Sequence, residues 1–257
     1  MVSINKLQSY KFLFTELVKR DFKQKYKRTV LGMVWSILSP LLTLLILKLV
    51  FTGFFGRSTP HYTIYMFCGT LVMSYYKEST KGGMISLMNN SAIISKINVP
   101  KYLFLLSKNV SSLINFLLTL CLFVLFCIFD HIHFGTHMLM VIFPIACLLI
   151  MNIGIGMILS AGYVFFRDMQ YLYDVFLTLL TYLSAIFYTV DNFRPTVQRL
   201  FMCNPVYVFI KYFRMLFIES TIPSLGYHCL CLFYAFVFLG LGCLIYKKYN
   251  HEFIYYL

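Results

Sequence analysis

A chain of 257 residues that is 60% hydrophobic and only 12% charged lies far from the balance of about 45–50% apolar and about 25% charged residues found in soluble domains. With a mean hydropathy of +0.77 and a mass of 30.1 kDa, it carries more apolar surface than a globule of that size can bury, which excludes a soluble enzyme and makes lipid the solvent for most of the chain. Its 22 Lys and Arg against 9 Asp and Glu point to orientation in a bilayer and contact with anionic headgroups rather than to nucleic acid.

Leu7 to Arg28 reads as an amphipathic helix lying in a membrane interface. Tyr10, Phe14, Leu17, Val18, Phe22 and Tyr26 recur every three to four residues, and Lys11, Lys19, Lys23 and Lys27 fill the remaining arc. Two roles stay open for this basic face, lipid binding and docking of a partner protein. Val30 to Phe51 is the first predicted span, about 33 Å long at about 1.5 Å per residue and kinked at Pro40, with Gly53 to Pro60 as the turn outside. The second span, Tyr62 to Lys81, is uninterrupted only as far as Tyr76, so Lys77, Glu78 and Lys81 have to face protein or the cytoplasmic interface. After Gly82 and Gly83, residues Met84 to Val99 read as a short amphipathic helix that Pro100 ends.

Spans three to six are Tyr102 to Phe129, Met138 to Phe166, Met169 to Tyr188 and Leu225 to Tyr246. Between the last two, Asp191 to Ser224 is too long for a turn and too apolar for a solvated loop. Asn204-Pro205 divides it into two amphipathic pieces, each shorter than a span, which read as short re-entrant helices dipping in from the outer face and covered by protein. The predicted fold is therefore all-α and integral to the membrane, one domain of six transmembrane helices. Placing both termini inside puts 16 Lys and Arg on the inner side and five on the outer, with Lys48 within a span; that bias sets the orientation.

Membrane catalysis needs placed acids, bases, nucleophiles or metal ligands, and few occur. The sequence has no H-E-x-x-H, no G-x-S-x-G and no phosphate-loop motif. His131, His133 and His137 cluster in one outer turn with Asp130, and read as a hydrated turn rather than a metal site. Eight cysteines without C-x-x-C spacing read as helix-surface fillers. Asp174, one turn into span five, is expected to pair with a basic neighbour near the inner surface. Gly154, Gly156 and Ser160 form a small-residue face suited to close helix packing.

The run Arg20-Asp21-Phe22-Lys23-Gln24-Lys25-Tyr26-Lys27-Arg28-Thr29-Val30-Leu31-Gly32, followed by Trp35 and Pro40, resembles the leading signature of ABC type-2 transporter permeases that export polysaccharides, the O-antigen, capsule and teichoic-acid exporter subunits. The similarity continues in order through Asn90, Ile93-Ile94, Lys96 to Pro100, Phe166-Arg167-Asp168, Tyr188, Asn204-Pro205 and Arg214. It departs at span two, where Gly69 is followed by Met73, Ser74 and Tyr75 in place of the family's frequent Trp.

The resemblance implies a homodimer around a central channel, with ATP and Mg bound by two separate nucleotide-binding ATPase subunits and no cofactor, metal or catalytic residue on this chain. It implies an ATPase-coupling surface formed by Met84, Leu87, Asn90, Ile93, Ile94 and Lys96 with Arg167 and Asp168. It also implies a channel or outer gate involving Trp35, Tyr75, Tyr188, Phe193, Asn204, Pro205 and Arg214. Lys19, Lys23, Lys27 and Arg28, near the inner surface, are the expected contacts for the diphosphate of a lipid-linked glycan. The setting implied is the cytoplasmic membrane of a bacterium, with membrane lipids as surroundings and nucleic acid not among the partners. Competing readings are a type-2 exporter of a drug, lipid or peptide, a membrane enzyme acting on lipid-linked sugars, and a structural membrane scaffold.

Overall fold

The computed structural model describes residues 4–27, 31–55, 61–97, 99–250 and 252–256. Arg28, the start of the first expected span at Val30, Asn98 and most of the turn expected at Gly53 to Pro60 lie outside the described residues. Among the described residues all regular structure is helical: α1 (Ile4–Tyr26), α2 (Trp35–Phe55), α3 (Tyr62–Asn89), α4 (Ser91–Ile94), α5 (Tyr102–Phe129), α6 (Ile142–Phe165), α7 (Met169–Leu183), α8 (Pro195–Phe201), α9 (Pro205–Phe217), α10 (Leu225–Tyr249) and α11 (Phe253–Tyr256). Short 3-10 turns, Gly32–Val34 and Thr136–Val141, lead into α2 and α6.

Three of these segments are long and apolar enough to cross a membrane: Tyr102–Phe129, Thr136–Phe165 and Leu225–Tyr249. Pro195–Phe201 and Pro205–Phe217 pass that test together but are bent by 105° at their junction, a broken span or a re-entrant loop. In lipid there is no water to drive helix association, so packing and interhelical hydrogen bonds carry it. The α6–α10 seam depends on missing side chains. A Cβ on Gly154 would fall on the backbone of Phe238 and Leu239, and one on Gly242 would reach 2.6 Å from the Gly154 carbonyl oxygen.

One end of the molecule is closed by a cluster that joins Leu17 of α1, Leu87 of α3, Ile94 of α4, Phe104 of α5, Val164 of α6, Tyr246 of α10 and Phe253 of α11. Lys101, buried beside the Phe253 ring, donates from Nζ to the Asn250 carbonyl; burial holds its pKa below the usual lysine range. At the other end, Tyr62, Tyr65 and Met66 of α3 pack on Leu47 and Phe51 of α2. Helix α9 is packed among other helices, with Val206 to Ile210 and Tyr212 to Arg214 all buried.

Several boundaries differ from the sequence expectations, among them the following. Gly82 and Gly83 do not end a helix: α3 runs through them to Asn89, because they mark close approach to α5 and α6, where a Cβ on Gly83 would lie 3.1 Å from the Gly156 Cα. The amphipathic helix expected over Met84 to Val99 is therefore the last part of α3 plus the single turn α4. The span expected to reach Tyr188 stops at Leu183, where Ala185 turns into the left-handed region at φ 49°. The first apolar helix starts at Trp35 rather than Val30 and keeps Pro40 inside it.

Candidate functional site

Two cavities follow one another along the seam between α3 and α5. The first, about 520 Å³, is a groove walled by α2, α3 and α5, with Ser36, Ser39 and Thr43 facing Thr70, Ser74 and Glu78, and Ser112, Asn115 and Thr119 completing it. Its rings are Trp35, Phe67, Tyr75 and Phe116, the last two 4.7 Å apart. The second, about 1090 Å³, lies between α1, α3 and α5 and is basic: Arg20 and Lys23 come from α1, Lys27 from the turn that follows it and Lys108 from α5, beside Gly82, Ser86, Asn89 and Asn90.

The helical repeat explains why these polar residues align. Ser74, Glu78, Gly82 and Ser86 recur every four residues on α3, and Lys108, Ser112, Asn115 and Thr119 recur every three or four on α5, so each set forms one stripe. From Thr70 to Asn89 the stripe covers about 28 Å at about 1.5 Å per residue, close to the thickness of a bilayer core of about 30 Å. Ordinary lipid-facing helices cannot carry such a stripe; it has to face protein or water.

Several of these groups are already oriented. Asn115 Nδ2 donates to Glu78 Oε1 at 2.8 Å, joining the two walls. Thr43, Thr70 and Thr119 donate to carbonyls one turn back on their own helices, at 2.9, 3.0 and 3.0 Å. Their oxygens still have lone pairs to offer, so the groove presents acceptors to hydroxyl-bearing molecules together with flat rings for C–H faces.

The expected diphosphate contacts separate. Lys23 and Lys27 line the basic cavity, while Lys19 pairs with Glu16 at 2.9 Å on an exposed face. Arg20 and Lys108, not proposed from the sequence, complete the set. Helical spacing puts Arg20 and Lys23 on one side of α1, with Lys27 in the turn just past its end, but nothing local in the sequence brings Lys108 to them.

The expected coupling residues also divide. Met84, Leu87 and Ile94 point inward, whereas Lys96 and Ile97 are exposed on the turn after α4. Asn90 is buried, with its amide on the Ser86 carbonyl at 2.7 Å, and Ile93 is half-buried. Arg167 and Asp168 are exposed in the turn from α6 to α7.

Of the expected channel and gate residues, Trp35 and Tyr75 border the groove. The others gather around the non-helical stretch after α7. Arg214 is fully interior, its guanidinium 3.4 Å from the Tyr65 ring centroid, and donates to the carbonyls of Ala185 at 2.9 Å and Ile186 at 3.3 Å. The next two carbonyls accept from phenols, Phe187 from Tyr62 at 2.7 Å and Tyr188 from Tyr65 at 2.8 Å. Asn204 caps α9 by accepting from the Val206 amide, donates to Leu183 and Ser184, and is followed by Pro205 in the first turn of that helix. Tyr188 and Phe193 join Phe201 and Tyr207 in an aromatic group of tilted and edge-to-face contacts.

The basic neighbour expected for Asp174 is Lys81, at 2.7 Å. Asp130 is met by His61, at 2.8 Å, rather than by a histidine of its own turn.

Comparison with known proteins follows the same lines. The sequence model for the family described as ABC-2 type transporter matches residues 13–218, a stretch that includes both cavities and the Arg214 anchor. A protein of Myxococcus xanthus named O-antigen export system permease protein RfbA is 27% identical over 225 residues, 86% of each chain. Two Klebsiella pneumoniae proteins of the same name are each 26% identical, one over 259 residues covering 98% of both chains and one over 245 residues covering 94% of this chain and 93% of its own. A polar seam carried by an integral membrane helical body and a family match over most of the sequence lead to one conclusion: this chain belongs to the ABC-2 type transporter family.

Proposed function

We propose that the chain is the channel-forming permease subunit of an ATP-driven exporter that moves a lipid-linked polysaccharide, such as an undecaprenyl-diphosphate-linked glycan, from the inner to the outer face of the cytoplasmic membrane. The observation that carries this reading is the continuous polar stripe on α3 and α5, walled by hydroxyls, an amide and aromatic rings. An apolar drug or lipid would gain little from such a lining, whereas sugars offer both hydroxyls and C–H faces. The names of the relatives support the same substrate class.

In this reading α2, α3, α5, α6, α7 and α10 are the six spans, both termini face the cytoplasm, and α8 with α9 forms the outer re-entrant gate. Two copies enclose the path. Two ATPase subunits dock on the exposed turn carrying Lys96 and Ile97 and on Arg167-Asp168, and ATP-driven closure favours one of two packed arrangements. The test is purification of the chain together with the ABC-type ATPase subunit expressed with it from the same organism. A two-plus-two complex whose ATP hydrolysis rises with added lipid-linked glycan is expected; folded protein that never associates with the ATPase would sink the reading. Ile97→Asp should weaken that association without unfolding the chain, since Ile97 is exposed.

A further inference from the structure

Lys108 occupies a position that neither charge nor spacing announces. Its aliphatic stem lies along α3 at Gly82, where an added Cβ would come within 2.9 Å of its Cγ and 3.3 Å of its Cε. Gly82 and Lys108 both line the basic cavity, while one turn further on, Glu78 of α3 and Ser112 of α5 line the hydroxyl-rich groove. Lys108 thus stands at the threshold between the two compartments, opposite the cations of α1.

The charge balance of the cavity is one-sided. Its carboxylate, Asp21, is taken by the Arg20 guanidinium at 2.8 and 3.1 Å, and the other charged lining groups are Lys23, Lys27 and Lys108. Ammonium groups arriving from two different helices around one space suit a multiply charged oxyanion, and the neighbouring Asn89 and Ser86 add neutral polar groups. The groove beyond has hydroxyls, an amide and the Glu78 carboxylate, which accepts from Asn115, but no Lys or Arg among its described lining residues.

We propose that Lys108, laid across Gly82 where the basic cavity meets the groove, reads the phosphate end of the transported molecule, holding a diphosphate in the cavity while uncharged sugar advances along the groove. Only the transport half of this statement rests on the export reading; the phosphate site stands on the cavity itself.

The test uses the full chain in phosphatidylcholine nanodiscs and the binding of a short-chain polyprenyl diphosphate, with the matching polyprenol and inorganic pyrophosphate as competitors. K108Q is expected to weaken diphosphate binding about five- to tenfold, the size of one cation's contribution at a membrane surface. K108R should restore it. G82A, which displaces the lysine stem, should weaken it without removing any charge, and K11Q, the same loss of charge on an exposed part of α1, should leave it unchanged. K108Q binding as wild type, or K11Q weakening binding equally, would overturn the proposal.

Pyrophosphate competing as strongly as the lipid would support the phosphate site and assign it to a soluble anion; competition by the polyprenol alone would overturn it. Glycan export in cells is scored separately. A K108Q chain that loses diphosphate binding yet exports normally overturns the transport half of the proposal and leaves the export reading standing, whereas a wild-type chain that binds diphosphate but supports no export sinks the export reading.

Discussion

Lys81 Nζ lies 2.7 and 2.8 Å from the two carboxylate oxygens of Asp174, tying α3 to α7. The residue before each partner adds a second tie, since the Tyr173 hydroxyl donates to Thr80 Oγ1 at 2.6 Å. Both members of the ion pair are about 40% exposed, at 40% and 42%, so the pair is worth no more than about 1 kcal/mol. K81D and D174K alone should each lower thermal stability slightly in detergent, and the double reversal should recover it. A coupling energy near zero in that cycle would leave the Tyr173–Thr80 bond as the tie that matters.

The glycines of the α6–α10 seam give a sharper contrast. Gly154→Ala puts a methyl onto backbone that has no flexible end to move, and G154A is expected to abolish recovery of folded protein or to cost more than about 3 kcal/mol, the upper end of overpacking. Gly240→Ala, on the same helix pair but with nothing within 4 Å, should be neutral or gain up to about 1 kcal/mol from helix propensity. Size-exclusion profiles and melting curves of the two variants check this; equal behaviour would refute the close approach.

Arg214 is the interior donor for two successive carbonyls. R214M keeps much of its length but leaves those acceptors without their donor, an expected loss of about 2–4 kcal/mol. R214K should fall between, because an ammonium keeps donors for the carbonyls but lacks the planar guanidinium that lies over the Tyr65 ring. Heat-induced unfolding of the three proteins tests the order.

Trp35 is the single tryptophan of the chain and borders the groove. Added oligosaccharide of the exported type should shift or quench its emission, and W35F should remove the signal. No change in wild-type emission at concentrations that stimulate ATP hydrolysis would take the groove out of the path.

Hydropathy alone located α5, α6 and α10, because runs of that length have few other fates. Asn204-Pro205 was legible as a helix start, and the capping bonds follow from those two residue types. Asp174 announced a basic partner by being an acid in an apolar run, although it did not say which. The path of α3 was not legible, since Gly82 and Gly83 look like a stop and serve instead as points of contact with residues far along the chain. The same holds for Lys108: a lysine early in a span reads as an interface residue until α1 and α3 are folded against it.

The stretch from Ala185 to Tyr188 is fixed by what other parts of the chain donate to its carbonyls, and every residue type carries a carbonyl. The three donors, Tyr62, Tyr65 and Arg214, are therefore constrained by a bend that lies far from them in sequence, and the bend is held in turn by the burial of Ala185 and Ile186 and by the stacking of Phe187 on Phe51. Among descendants of this sequence, selection for one bend should be visible at Tyr62, Tyr65 and Arg214 as well as at the bend itself.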